Sequence, residues 1–207
     1  MEGAADLEAV ARRIVERHVL GPGRRVDSVR VQGTGVIVET DVFPWVVRVA
    51  ASPDDRLELY DVVPGLHVDP PPVPHGIAVL DSGESFRLND PDDVRGLWSR
   101  GGSWMSPEAL AELLAAYQSG DYRGHVIGSR TDPVARRRAE QVASVPGCAP
   151  LRVEEPDGRL TLRFCSFSLA PTPQGEDRMA VHRWEVEARR DGAIRWTTRR
   201  VADLPAS

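Results

Sequence analysis

Residues 179–201 read MAVHRWEVEARRDGAIRWTTRRV, and this stretch decides the fold class. Met179–Arg189 and Ile194–Val201 have the composition of strands, and His182, Trp184 and Val186 alternate on one face of the first. Asp191-Gly192 between them is a tight-turn dipeptide. So short a link joins only antiparallel strands, because parallel neighbours need a crossover of about a dozen residues or more. A doubly wound parallel sheet is therefore excluded for this region.

Working back from there, Asp157-Gly158 repeats the signal between Leu151–Glu154 and Leu160–Leu169, and Pro171–Asp177 is a longer loop. Asp132-Pro133 caps a helix that runs to about Val145 and stops at Pro146-Gly147. Ala135, Ala139, Val142 and Ala143 give this helix a weak apolar stripe, and Arg136, Arg137 and Arg138 lie mostly off it. Gly124–Gly128 is a short strand candidate.

The front of the chain has the same order. A helix from about Asp6 to Val19 carries Leu7, Val10, Ala11, Ile14, Val15 and His18 at helical spacing and stops at Gly21-Pro22-Gly23. Strands are expected at Val26–Val31, Val36–Glu39, Phe43–Ala50 and Leu57–Val63. A proline-dense loop follows, Pro64 to Pro74, then a small hairpin of Ile77–Leu80 and Ser85–Leu88 about Ser82-Gly83. Asp90-Pro91 and Ser106-Pro107 each open a short helix, the second with Leu110, Leu113, Leu114 and Tyr117 on its apolar face.

The expected class is α+β, with antiparallel sheets covered by helices. Residues 1–120 read as a helix plus antiparallel meander with two short helices. Residues 121–207 read as a helix plus antiparallel four-strand meander, the two packed as one compact unit. The repeated element order admits two helix-plus-four-strand-meander halves and an ancient duplication, although residue identity between the halves is negligible.

All 26 basic residues are arginine. Codon usage in a GC-rich genome, as expected of a bacterial protein, is the simpler reading of this and selection against lysine modification the other. On either, the absence of lysine excludes Schiff-base chemistry on lysine and any lysine-dependent phosphate loop. Residues 1–120 hold 11 arginines against 19 acids, and residues 121–207 hold 15 against 12, for a net charge of −5. An acidic chain is a poor default nucleic-acid binder, but the basic second half keeps that class open. No signal-peptide pattern follows Met1, and no apolar run approaches the ~18 residues of a membrane span. The expectation is a cytoplasmic protein in which Cys148 and Cys165 are reduced thiols.

Several residue groups invite chemistry. His67, Asp69 and His75 supply metal-type donors, but at no metal-motif spacing. Asp90, Asp92 and Asp93 are explained by a helix N-terminus without a cation. Gly101-Gly102-Ser103 lacks the closing glycine and leading strand of a nucleophile turn. His18 sits where an imidazolium meets helix-terminal carbonyls. No metal site and no cofactor are expected.

The candidate binding residues are Trp98, Arg100 and Trp104, around a glycine-rich connection, and His182 with Trp184 on one strand face. If exposed together, the first three suit a protein contact. Arg136–Arg138, Arg189, Arg190, Arg199 and Arg200 form a possible phosphate surface or, more simply, a solvated face. Catalytic motifs are missing. The leading expectation is a non-catalytic protein-interaction or regulatory module with a protein partner or self-association. The alternatives are a small-molecule binder or enzyme with a pocket on a curved sheet, and nucleic-acid binding through the arginine-rich half.

Overall fold

The computed structural model describes residues 2–66, 74–120, 123–129, 132–170 and 178–205. Among these residues are four α-helices, one 3-10 turn (Pro156–Gly158) and two antiparallel sheets, an α+β fold. The chain divides into two compact units, Met1–Arg87 and Leu88–Ser207. His67 and Asp69, and the loop Pro171–Asp177, lie outside the described residues.

In the first unit, α1 (Glu2–His18) precedes a six-stranded meander: β1 (Val26–Gln32), β2 (Gly35–Thr40), β3 (Trp45–Ala50), β4 (Leu57–Pro64), β5 (His75–Leu80) and β6 (Ser85–Arg87). Each strand pairs with its chain neighbour, so the 75–87 hairpin extends the four expected strands to six rather than standing apart. The period-2 pattern turns Val36, Val38, Val47, Tyr60, Val62 and Ile77 toward α1, where they meet Ala11, Ile14 and Val15. Tyr60 donates its hydroxyl hydrogen to Glu58 at 2.5 Å, and burial followed by that carboxylate raises its pKa. His18 reaches the Ser85 hydroxyl through Nε2 at 2.8 Å, a side-chain partner on β6 that local sequence gives no sign of.

In the second unit, α2 (Pro91–Gly101) and α3 (Pro107–Gln118) are followed by β7 (Gly124–Val126), α4 (Pro133–Ala143), β8 (Arg152–Glu154), β9 (Arg159–Ala170), β10 (Arg178–Arg189) and β11 (Ile194–Pro205). The three helix starts are capped as their sequences require. Asp90 accepts from the Asp92 amide, Ser106 from Ala109, and Asp132 from Val134 and Ala135.

The sheet order is β11-β10-β9-β7, and β8 pairs with the remaining length of the same β9 edge. The two sheets thus differ in strand number and connection. The second recruits β7 from before its helix, whereas the first is a plain meander. Both dipeptide turns are present. Asp157 and Gly158 have φ of 51° and 72°, and Gly192 has φ of 114°, conformations that favour Gly and, less often, Asp.

The two faces of this sheet bury different partners. On one, Cys165, Phe167, Met179 and Val181 meet Ala135, Val142 and Val145 of the α4 segment. The other carries Leu160, Leu162, Phe164, Trp184 and Val186, all buried. Toward the β7 edge that face is built from Gly124, Ser166 and Ser168, so α3 approaches closely, and a Cβ at Gly124 would collide with the Ala115 carbonyl. α3 is buried around nearly its whole circumference, with Ala109, Ala111, Ala115 and Ala116 inside as well as its leucines. The sequence pattern marked only the leucine and tyrosine face.

The cysteines correct an expectation. Cys148 and Cys165 form a disulfide, with Cα atoms 5.5 Å apart. Sequence alone shows two isolated cysteines. In the fold, the Pro146-Gly147 turn doubles the chain back over β9, where the Cys165 amide donates to the Ala149 carbonyl at 3.2 Å. The bridge spans a sequence separation of 17. Closing a loop of this size removes chain entropy from the unfolded state, worth roughly 3 kcal/mol. Urea melts with and without dithiothreitol should show a lower midpoint for the reduced protein. Coincident melts would mean that the bridge contributes nothing to stability.

Candidate interaction site

The five sequence-selected residues do not form one surface. Trp98 is 1% exposed and donates its indole hydrogen to the Arg189 carbonyl at 2.9 Å, which pins α2 to the β10–β11 turn. Trp184 is 0% exposed, stacks on Phe164 with ring centroids 5.6 Å apart, and donates to the Ser166 hydroxyl at 2.7 Å. Both tryptophans are core anchors. Trp104 is half-buried against Gly101 at the end of α2, and Arg100 is exposed. His182 is 9% exposed, and its Nδ1 has no hydrogen-bond partner among the described residues. Burial, and then the nearby Arg200 charge, push its imidazole below the ordinary value, against an opposing pull from Asp203.

His75, the described member of the proline-loop group, lies on β5 with its ring 6.0 Å from that of Trp45. Burial and then Arg87 hold it below the ordinary imidazole value. Among the described residues no group of three His, Cys, Asp or Glu is placed to hold a metal ion.

One titratable pair was missed from the sequence. His125 on β7 places Nδ1 2.5 Å from Asp132 Oδ2, and its ring lies 5.3 Å from that of Phe167. Burial raises the Asp132 pKa, but the bond and charge of His125 and the Ala135 and Val134 amides outweigh it, leaving the carboxyl below its ordinary value. Ser129 donates to Glu112 at 2.8 Å and accepts from the Asp132 amide at 3.2 Å. Asp132 thus caps α4 and ties it to β7. The seven-residue spacing from His125 to Asp132 carries no local signature, which is why pattern reading passed over it.

These shifts fix the acid response. His75 and His182 are neutral in the fold, so their contribution is complete above about pH 6.5 and is lost as pH falls through the unfolded-state value toward the folded one. Asp132 contributes above the ordinary carboxyl range and loses its share as pH falls through its lowered folded value. Urea midpoints should therefore drop between pH 7 and 5 and again below about pH 4. A midpoint that is flat from pH 7 to 5 would contradict the buried neutral histidines.

Much of the arginine group is committed within its own unit. Arg190 pairs with Glu155 through Nε at 2.8 Å and through Nη2 at 3.1 Å, while its Nη1 donates to the Gly102 and Met105 carbonyls, each at 2.9 Å. It serves as a clamp closing the α2–α3 connection. Arg189 pairs with Asp191, Arg195 with Glu187, and Arg200 with Asp203. Arg136, Arg137 and Arg199 remain exposed.

What the unit does leave open is a strand edge. β11 is the outermost strand and runs for 12 residues. Among the described residues no backbone group pairs along its outer side; at its far end Gln141 Nε2 donates to the Pro205 carbonyl at 2.5 Å. Its pairing with β10 is regular from Ile194 to Arg200, beyond which the register shifts. Arg195, Thr197 and Arg199 share one face of this edge, and Ile194, Trp196 and Thr198 share the other. Trp196 is half-buried, with the Arg95 guanidinium 5.4 Å from its ring centroid. A recess of about 260 Å³ lined by Arg159, Arg189, Arg195 and Glu187 adjoins the start of the strand. The outer strands of the other sheet are shorter: β1 has 7 residues and a register break near its start, and β6 has 3.

Comparison with family models, with curated proteins and with solved structures finds no match. No described helix is long and apolar enough to cross a membrane.

Proposed function

We propose that this protein is a non-catalytic interaction module that takes an extended segment of a partner protein along β11. The open 12-residue edge carries the reading. An exposed edge presents a row of unpaired amides and carbonyls, and strand addition uses that row for affinity and alternate side chains for specificity.

The chemistry of the edge selects the partner. Within β11 itself Arg195, Arg199 and Arg200 outnumber the one acid, Asp203. Arg195 pairs with Glu187 of β10 and Arg200 with Asp203, which among the described residues leaves Arg199 as the uncommitted cation of the edge. An incoming strand with acids on the Arg195–Arg199 face and apolar residues beside Trp196 complements both faces. A second copy of β11 paired antiparallel about Thr197, the middle of the regular stretch, does not, because it brings Arg195 opposite Arg199. The partner is therefore an acidic, alternating segment of another chain.

The test is a charge swap. A fluorescein-labelled octapeptide alternating glutamate and valine should bind in anisotropy titrations, and its lysine–valine counterpart should not. The double variant Arg195→Glu, Arg199→Glu should reverse that preference while keeping the wild-type circular dichroism. Equal binding of both peptides, or an unchanged preference in the variant, would overturn the reading.

A further inference from the structure

The first unit holds a cleft of about 360 Å³ on the flank of α1. Its floor is Val10 and Ile14 of the helix and Val79 of β5, and its far wall is Gly83 and Ser85 of the β5–β6 hairpin. Arg13 and Arg17, one helical turn apart, stand on the rim. Neither makes a hydrogen bond or ion pair among the described residues. Glu16 also lines the cleft, but Arg12 pairs with it at 3.4 Å. The Ser85 hydroxyl of the far wall is held by His18 at 2.8 Å.

An apolar floor beneath two uncommitted guanidiniums is the arrangement that binds a chain with one anionic end. The volume falls within the roughly 300–1,000 Å³ of small-molecule sites. Guanidinium recognises carboxylate by charge-assisted hydrogen bonds in a planar fork. The short β6 leaves this end of the sheet less covered than the centre, where Val36, Val38 and Val62 are 0% exposed.

We infer that this cleft is a binding site for an amphiphilic carboxylate of the fatty-acid type, its alkyl chain on Val10, Ile14 and Val79 and its carboxylate between Arg13 and Arg17. The site belongs to the first unit alone and stands independently of strand addition at β11.

Calorimetric titration with decanoate, below its micelle-forming concentration, tests it directly. Decylammonium, decanol and acetyl-leucyl-leucine serve as parallel ligands, the last presenting an apolar peptide carboxylate. One decanoate should bind per chain, at least about tenfold more tightly than any of the three. Arg13→Ala with Arg17→Ala should weaken decanoate at least about tenfold and leave decanol unchanged. Val79→Phe should fill the floor and abolish binding, with thermal melts showing that both variants remain folded. No decanoate binding, equal affinity for decylammonium or decanol, preference for the peptide, or an unaltered arginine variant would each overturn the inference.

Discussion

Trp184→Ala should lower the urea unfolding midpoint more than any surface substitution in the chain. The indole is 0% exposed, stacks on Phe164, and donates to Ser166 at 2.7 Å. Its removal deletes apolar burial, leaves a cavity and strips the buried Ser166 hydroxyl of a donor. Large-to-small changes of an aromatic in a packed core cost about 3–5 kcal/mol. A domain's whole stability is roughly 5–15 kcal/mol, so the variant should approach marginal folding. Trp184→Phe should fall between, since it keeps a ring beside Phe164 but leaves Ser166 unpaired, at about 1–3 kcal/mol. If Trp184→Ala melts with wild type, the sheet face is not packed as described.

Ile14→Ala tests the other unit. Ile14 is 3% exposed, between α1 and a sheet face that carries Val36, Val38 and Val62. Its truncation should cost about 2–5 kcal/mol. Arg137→Ala, on the exposed side of α4, should stay within about 0.5 kcal/mol. The pair separates docking of α1 from a general sensitivity to helix substitution. Equal midpoints for the two variants would mean that α1 does not dock by its Ala11–Ile14–Val15 stripe.

The elements legible in the sequence were those with local causes. Asp90, Ser106 and Asp132, each followed by proline, marked the three capped helices, and Asp157-Gly158 and Asp191-Gly192 marked hairpins that bend where expected. The strand expected at Val36–Glu39 lies within β2 (Gly35–Thr40). What stayed hidden was non-local. β7 itself was a strand candidate at Gly124–Gly128, but its pairing with β9, across the intervening α4 and β8, has no local signal. The Cys148–Cys165 bridge depends on α4 folding back over β9.

The candidate site divided in the same way. Trp98 and Trp184 drew notice because tryptophan is enriched in contacts, yet their indole hydrogens are spent on Arg189 and Ser166 inside the unit. Arg190 was indistinguishable in sequence from Arg189, but the first clamps two carbonyls and Glu155 while the side chain of the second pairs, among the described residues, with its neighbour Asp191. Strand order decides which strand is an edge, and no property of Ile194–Pro205 itself encodes that position.

Site-resolved amide hydrogen exchange along β11 tests the central claim most directly. In the free protein every second amide between Arg195 and Arg199 should exchange fast, as outward-facing groups of an open edge, while those turned to β10 stay protected. Saturation with the glutamate–valine octapeptide should slow the fast set and leave β1 and β6 unchanged. Protection of alternate β11 amides before any peptide is added, or slowing confined to another strand when it is, would contradict strand addition at this edge.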